Sequence, residues 1–230
     1  MGELGEIKTY LLTYKFEFND KEFYSKIKKL KKEASFNFNE KLLNEIWCLE
    51  KIYQIQKKYF EMYNSLKKQS YYEAWLLLDE IDTDIILLKP NVSFAKNIYN
   101  LCFIEKMITG YEILFRTIYR KFFSRELLVK SYRCSICNKR ISLRSNCGHK
   151  KGHLYWGKLC SHIAENFEIF GFALVEYSVE RYTVPQENEN IKYDYSILRN
   201  LMLKLPSPYV FWNVKVLEKD NQKHYSIIIE

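Results

Sequence analysis

The sequence predicts an α+β protein with a helical N-terminal part, a central zinc-binding module and a small α+β C-terminal part. Three observations carry that prediction. Apolar residues recur three and four apart through most of the first half, cysteine and histidine concentrate in one short stretch, and apolar and polar residues alternate near the C-terminus. With only 7 Gly and 4 Pro in 230 residues, long regular elements are the natural way to organise the chain. On this pattern the chain divides into a helical domain over 1–127, a module over 128–185 with its following helix and strand, and a helix and hairpin tail over 186–230 packed on the module.

The opening KTYLLTYKFEF fits a strand or a helix start. From about Asp20 to Arg125 the pattern is mostly helical. Leu42, Leu43, Ile46, Leu49, Ile52, Tyr53, Ile55, Tyr59, Phe60 and Tyr63 define one long amphipathic helix from about Asn39 to Lys67. A second helix opens with Ser70 as N-cap and Glu73 behind it and closes at Pro90. A third runs from about Val92 to Arg120, with a possible break at Gly110. After Cys160, SHIAENFEIF reads as a short helix and GFALVEYSVERYTVP as a strand ending before Pro185. QENENIK is a loop, YDYSILRNLMLKLPSP a short helix stopped by its prolines, and FWNVKVLEKDNQKHYSIIIE a hairpin turning at Lys219–Gln222.

The formal charge of +8 is unevenly spread. Residues 1–115 hold 17 basic and 17 acidic residues, 116–158 hold 12 and 1, and 161–230 hold 7 and 10. The middle stretch therefore carries +11, with Glu126 its single acid. It needs distant acids, a bound anion or solvent to offset it. The Lys run at 26, 28, 29, 31 and 32 and the acids Asp79, Glu80, Asp82 and Asp84 read as solvated helix faces.

Seven of the ten Cys and His residues lie between Cys134 and His162. The pattern is C-x2-C, then C-x-H, then a fourth cysteine: Cys134, Cys137, Cys147, His149 and Cys160. Two thiols three apart on a tight turn can face one Zn2+, and a pair from a distant loop completes a tetrahedron. Asn138 suits that turn because Asn tolerates left-handed backbone. Cys134 and Cys137 are the firm pair. Two of Cys147, His149 and Cys160 complete the set, His149 with Cys160 being preferred over Cys147 with His149. His162 is set aside because on a helix it would face away from Cys160, and His153 because Gly148 and Gly152 argue against a helix joining it to His149. Cys48 and Cys102, in apolar surroundings, read as structural thiols.

The same residues resemble a zinc-binding module of uncharacterised bacterial and prophage-encoded proteins, through C-x2-C, C-x-H and Gly152-x-x-Tyr155-x-Gly157-x-x-Cys160. SRELLVKSYRCSIC, VERYTVP and KYDYSILRNLMLKLPSPYVFW are similar to the flanks in one such group, so the likeness covers much of residues 70–215. The resemblance implies no activity. It does suggest a phage- or mobile-element-related setting, and His153 falls where other members carry unrelated residues.

A sulfur-rich closed site is structural. Around it Arg133, Lys139, Arg140, Arg144, Lys150, Lys151 and Lys158, interleaved with Tyr119, Phe122, Phe123, Tyr132, Tyr155 and Trp156, predict phosphate contacts and stacking to nucleic acid or a nucleoprotein partner. The alternative is an accessory subunit docking on an acidic protein. A less favoured alternative is a metal-dependent nuclease with His153 or His162 as base, which no His-Asn pair or adjacent acidic ligand supports. The expectation is thus a non-enzymatic, cytoplasmic protein with zinc as its one cofactor. The N-terminus has no basic-then-apolar leader, no apolar run is long enough for a membrane span, and no nucleotide-binding or hydrolase motif occurs.

Overall fold

The computed structural model describes residues 2–92, 98–142, 144–176, 178, 181–219 and 222–229. Helices occupy the N-terminal half and antiparallel strands follow, so the chain is α+β. Its contacts group into two units, each assembled from three separate stretches: 1–54, 84–99 and 125–173 form the first, and 55–83, 100–124 and 174–230 the second. These contact units are not the three consecutive segments read from the sequence.

The first unit is built on α1 (Glu3–Leu12), α2 (Asp20–Phe36) and the first half of α3 (Glu40–Lys67). The ambiguous opening segment is thus helical as far as Leu12, with Ile7 and Leu11 buried, and residues 13–18 continue outside helix and strand. Asn19 starts α2, its side chain accepting from the Glu22 N–H and donating to the Glu22 carboxylate, a reciprocal cap. The buried face of α2, Phe23, Ile27, Leu30 and Ala34, meets Leu43, Ile46, Leu49 and Ile52 in one apolar core. Phe23 stacks on Tyr53 with centroids 3.8 Å apart, and the Tyr53 hydroxyl donates to Asp20 at 2.7 Å. Cys48 is buried, which pushes its thiol up to about 12. Most of β1 (Phe122–Cys134) and β5 (His162–Val175) and the short strands β2 (Arg140–Ile141), β3 (Leu154–Tyr155) and β4 (Lys158–Leu159) also belong here. One sheet has the order β2-β1-β5 and a second pairs β3 with β4.

The second unit holds the rest of α3, most of α4 (Tyr71–Leu88), α5 (Leu101–Ile118), α6 (Ser196–Lys204) and the hairpin β6 (Trp212–Lys219) with β7 (Gln222–Ile229). Trp75, Tyr59, Tyr111, Phe115, Tyr119 and Phe122 fill its core. Tyr59 and Tyr63 donate to the carbonyls of Pro208 and Leu205 at 2.6 and 3.0 Å, and Trp75 to that of Arg181 at 2.7 Å. The hairpin is as expected; the two residues between Lys219 and Gln222 lie outside the described residues.

Several expectations change. The third helix begins at Leu101 and is not broken at Gly110, where an added Cβ would lie 3.0 Å from the Trp212 ring. Glycine there admits an indole. Residues 93–97, part of that expected helix, lie outside the described residues. Helix ends at Ile118, and Phe122–Cys134 is a strand. The helix expected after Cys160 is strand β5, held to β1 by the pairs Lys130–Glu168 and Arg133–Glu165 and by Ser131 Oγ donating to the Glu165 carbonyl. Cross-strand pairing here overrides local helical preference. The strand expected to reach Pro185 ends at Val175; residues 177, 179 and 180 lie outside the described residues.

The α4 acids are not a solvated face. Asp84 is buried and paired with Lys51 at 2.8 Å. Asp82 and Asp79 hold Arg181 at 2.7 and 3.8 Å, with Glu112 at 3.5 Å. Only Glu80 remains mostly exposed, beside Lys58. The Lys run on α2 is largely tied too: Lys26 to Glu6 and Glu22, Lys29 to Glu3, Lys31 to Glu50.

Candidate metal centre

β1 ends at Cys134, whose N–H donates to the Lys139 carbonyl while its own carbonyl accepts from the Asn138 N–H, both at 2.9 Å. The loop between them is a tight knuckle, closed by Asn138 at φ 60° as its position after the cysteine pair implies. In this knuckle the N–H groups of Cys137 and Ile136 point at Cys134 Sγ. Burial alone would raise that thiol; these two donors, with the thiols of Cys147 and Cys137, bring it down to about 6. Donors so placed favour the thiolate, the form that binds metal.

The second loop brings Cys147 and His149 to the same point. Asn146 Oδ1 accepts from the Gly148 N–H at 3.1 Å, and Gly148 turns the chain at φ 85°. The His149 ring meets Tyr155 edge-on at 4.6 Å, and the Tyr155 hydroxyl accepts from the Lys150 N–H at 2.9 Å. Tyr155 is therefore a support for the loop. Ligand atoms of Cys134, Cys137, Cys147 and His149 all lie within 4.8 Å of one another. His149 Nδ1 is buried with no hydrogen-bond partner. Cys160 Sγ lies 3.9 Å from Cys134 Sγ, and burial followed by that neighbour pushes the Cys160 thiol up to about 11.

This cluster can hold a metal ion, and its chemistry favours a soft or borderline one. Sulfurs at about 2.3 Å from a tetrahedral ion stand about 3.8 Å apart, so the donors need to close only slightly. The segment has little else to fold on. Between Cys134 and Cys160 only Leu154 is buried among the described residues. Of the other histidines, His153 is exposed, and His162 lies on a strand, so the helical argument against it does not hold; it nonetheless stands outside the four-donor group.

The module is fastened to helix. Asn91 donates to the carbonyls of Leu87 and Gly152 at 2.9 and 2.7 Å and accepts from the Leu154 N–H at 2.9 Å. At the β3–β4 turn the Trp156 N–H donates to Glu40 at 3.0 Å and the Gly157 N–H to Asn44 at 2.7 Å. Tyr155 pairs with Lys158, leaving a two-residue loop with φ 51° at Trp156 and 70° at Gly157, the left-handed pair that a type I′ turn requires. A bulky residue at φ 51° costs about 1–2 kcal/mol. Here it sets the Trp156 side chain half-exposed at the turn's tip.

The predicted nucleic-acid residues divide in two. Arg133 is engaged by Glu165. Lys139, Arg140, Arg144, Lys150, Lys151 and Lys158 are all exposed, and none has an ion pair among the described residues. Residues 134–160 contain no Asp or Glu. Of the interleaved aromatics, Tyr119 and Phe122 are core, whereas Phe123, Tyr132 and Trp156 are exposed. Compared with protein-family models, curated proteins and solved structures, the chain matches none. No helix among the described residues is long and apolar enough to cross a membrane.

Proposed function

We propose that the chain is a non-enzymatic nucleic-acid-binding protein whose basic loops are shaped by a structural Zn2+ held by Cys134, Cys137, Cys147 and His149. Zinc supplies folding energy to a segment with almost no apolar core of its own. Cys160 lies against the Cys134 sulfur as a neighbour that tunes it. The basic loops suit a nucleoprotein partner equally, and the reading fits the phage- or mobile-element-related setting that the sequence resemblance implies.

The observation that carries the reading is Trp156. Natural turns of this type place Asn, Asp or Gly where this chain places a tryptophan, strained and half-exposed, two residues before an unpaired lysine. Core packing does not fully explain it, since half of the side chain stays exposed. A flat aromatic surface beside cations stacks on unpaired bases while the cations meet phosphate, which favours single-stranded substrate. An acidic protein partner would use the cations but has no need of the strained ring.

The test is a fluorescence titration against single-stranded and duplex oligonucleotides at several salt concentrations. Six phosphate contacts on a single strand give a slope of about −4 in log affinity against log salt. Trp156→Gly relieves the backbone strain, so stability holds or rises, while the loss of one stacked base weakens binding about tenfold. Binding indifferent to salt, or untouched by Trp156→Gly, would refute the reading.

A further inference from the structure

Three aromatic residues among those described have left-handed backbone: Phe38, Tyr99 and Trp156. Tyr99 is buried, so packing accounts for it. Phe38, at φ 48°, is 81% exposed. It sits where α2 stops. The Phe38 N–H donates to the Ser35 carbonyl at 3.2 Å and the Asn39 N–H to that of Ala34 at 2.9 Å, the two bonds of a Schellman motif, whose left-handed residue is usually glycine. α3 ends in the same motif, with Gln69 bonded to Leu66 and Ser70 to Ser65, and there the position holds a polar residue, Gln69 at φ 63°. Neither the turn nor the core therefore calls for a phenylalanine. Asn39 fixes the far side of the turn, its Oδ1 accepting from the Leu42 N–H at 3.0 Å.

The two exposed left-handed aromatics meet at the start of α3. Both belong to the first unit, and the Trp156 N–H donates to the carboxylate of Glu40, two residues after Phe38 and within about 7 Å of it along the chain. From Phe38 a ridge runs back along α2. Tyr24, Lys28, Lys32 and Phe36 are spaced four apart, so they follow one ridge of the helix over about 18 Å. All four are exposed, Phe36 at 83%. They line an open groove whose one acid, Glu50, is taken by Lys31. Neither Lys28 nor Lys32 has an ion pair among the described residues.

We propose that the single strand stacked on Trp156 continues over Phe38 and along this ridge of α2, stacking on Phe36 and Tyr24 with its phosphates on Lys28 and Lys32. Rings interleaved with cations hold single strands without reading their sequence. A duplex keeps its bases paired inside and offers these rings nothing to stack on. Glu40 is the acid at the crossing; the Trp156 N–H engages it, and Lys41 follows it in the chain. The inference rests on the nucleic-acid reading and extends that footprint from the metal module onto the helices, by about five nucleotides at about 3.4 Å each.

The experiment is fluorescence anisotropy of a labelled oligothymidylate of about 15 nucleotides, within the range that single-strand sites cover, titrated with the metal-loaded full chain. Phe38→Gly and Gln69→Gly relieve the same backbone strain in the same motif, so thermal stability should hold or rise in both. Only Phe38→Gly should weaken binding, by about tenfold for one lost stacked base. Lys28→Ala/Lys32→Ala, remote from Trp156 in sequence, should make the slope of log affinity against log salt shallower by about 1.4, two phosphate contacts at about 0.7 each. Full binding by Phe38→Gly alongside weakened binding by Trp156→Gly means that the ridge serves another partner; it overturns this inference and leaves the nucleic-acid reading standing. An unchanged salt slope in the lysine variant overturns it too. A wild type that binds no single strand removes both.

Discussion

Replacing Gly157 by alanine tests how the metal module is seated on α3. The residue adopts φ 70°, and a Cβ added to it would lie 3.3 Å from both the Cβ and the carbonyl oxygen of Leu43. Two costs follow. Left-handed backbone costs alanine about 1–2 kcal/mol relative to glycine. The contact adds about 1–2 kcal/mol, because the Leu43 carbonyl belongs to a helix and cannot retreat as a flexible side-chain end would. Gly148 and Gly152 provide the control: at φ 85° and 83° they share the backbone cost, but a Cβ on either meets nothing within 4 Å. Gly157→Ala should therefore destabilise by about 1–2 kcal/mol more than Gly148→Ala or Gly152→Ala. Urea denaturation of the metal-loaded proteins gives the differences from midpoints at constant slope, and amide exchange at Leu154 and Gly157 reports the loop locally. If Gly157→Ala costs the same as Gly152→Ala within about 0.5 kcal/mol, the close seating against Leu43 is wrong.

Cys134→Ser should abolish stoichiometric metal, measured by elemental analysis after gel filtration, while Cys160→Ser should keep one ion per chain at about 10–100-fold weaker affinity; loss of the ion in Cys160→Ser would move Cys160 into the ligand set. Arg181→Met strips the counter-charge from Asp79, Asp82 and Glu112. It should cost about 2 kcal/mol at pH 7, less than a fully buried network because these groups are partly exposed. Burial already raises the Asp79 carboxyl and Arg181 pulls it down. Without Arg181 the carboxyl rises further, so the folded state binds a proton more readily than the unfolded one. The deficit should then shrink as pH falls below neutrality, and a deficit that grows on acidification would refute the assignment.

The sequence made α3 legible because its apolar spacing is long and regular, and it made the knuckle legible because two cysteines and an asparagine suffice to specify the turn. The errors have physical causes. Ile163, Phe167 and Phe170 are spaced four and three apart and imitate an amphipathic helix, although the segment is a strand whose partner lies some thirty residues earlier in the chain. The β1 segment is rich in Arg, Glu, Leu and Lys, which favour helix in isolation. Asp79, Asp82 and Asp84 read as solvated because Arg181 and Lys51, which hold them, are distant in sequence. Spacing alone leaves Cys147 open; its place beside His149 depends on how the Gly148 turn folds back.

The same distinction between local and distant partners explains the charge. A stretch with one acid in 43 residues cannot neutralise itself, yet four of its twelve cations are paired with acids elsewhere in the chain. Arg116 takes Glu112, Lys121 takes Glu176, Lys130 takes Glu168 and Arg133 takes Glu165, every acid lying outside residues 116–158. Those pairs fall on α5, on β1 and beside them, where regular structure brings distant acids within reach. The loops between Cys134 and Cys160 have no such neighbours: six cations, no acid, and a metal cluster in place of an apolar core. A fold that needed only to cancel charge would have extended the pairing seen on β1 into these loops. Leaving them unpaired costs self-repulsion in the free protein, a cost that the proposed nucleic-acid partner would offset on binding.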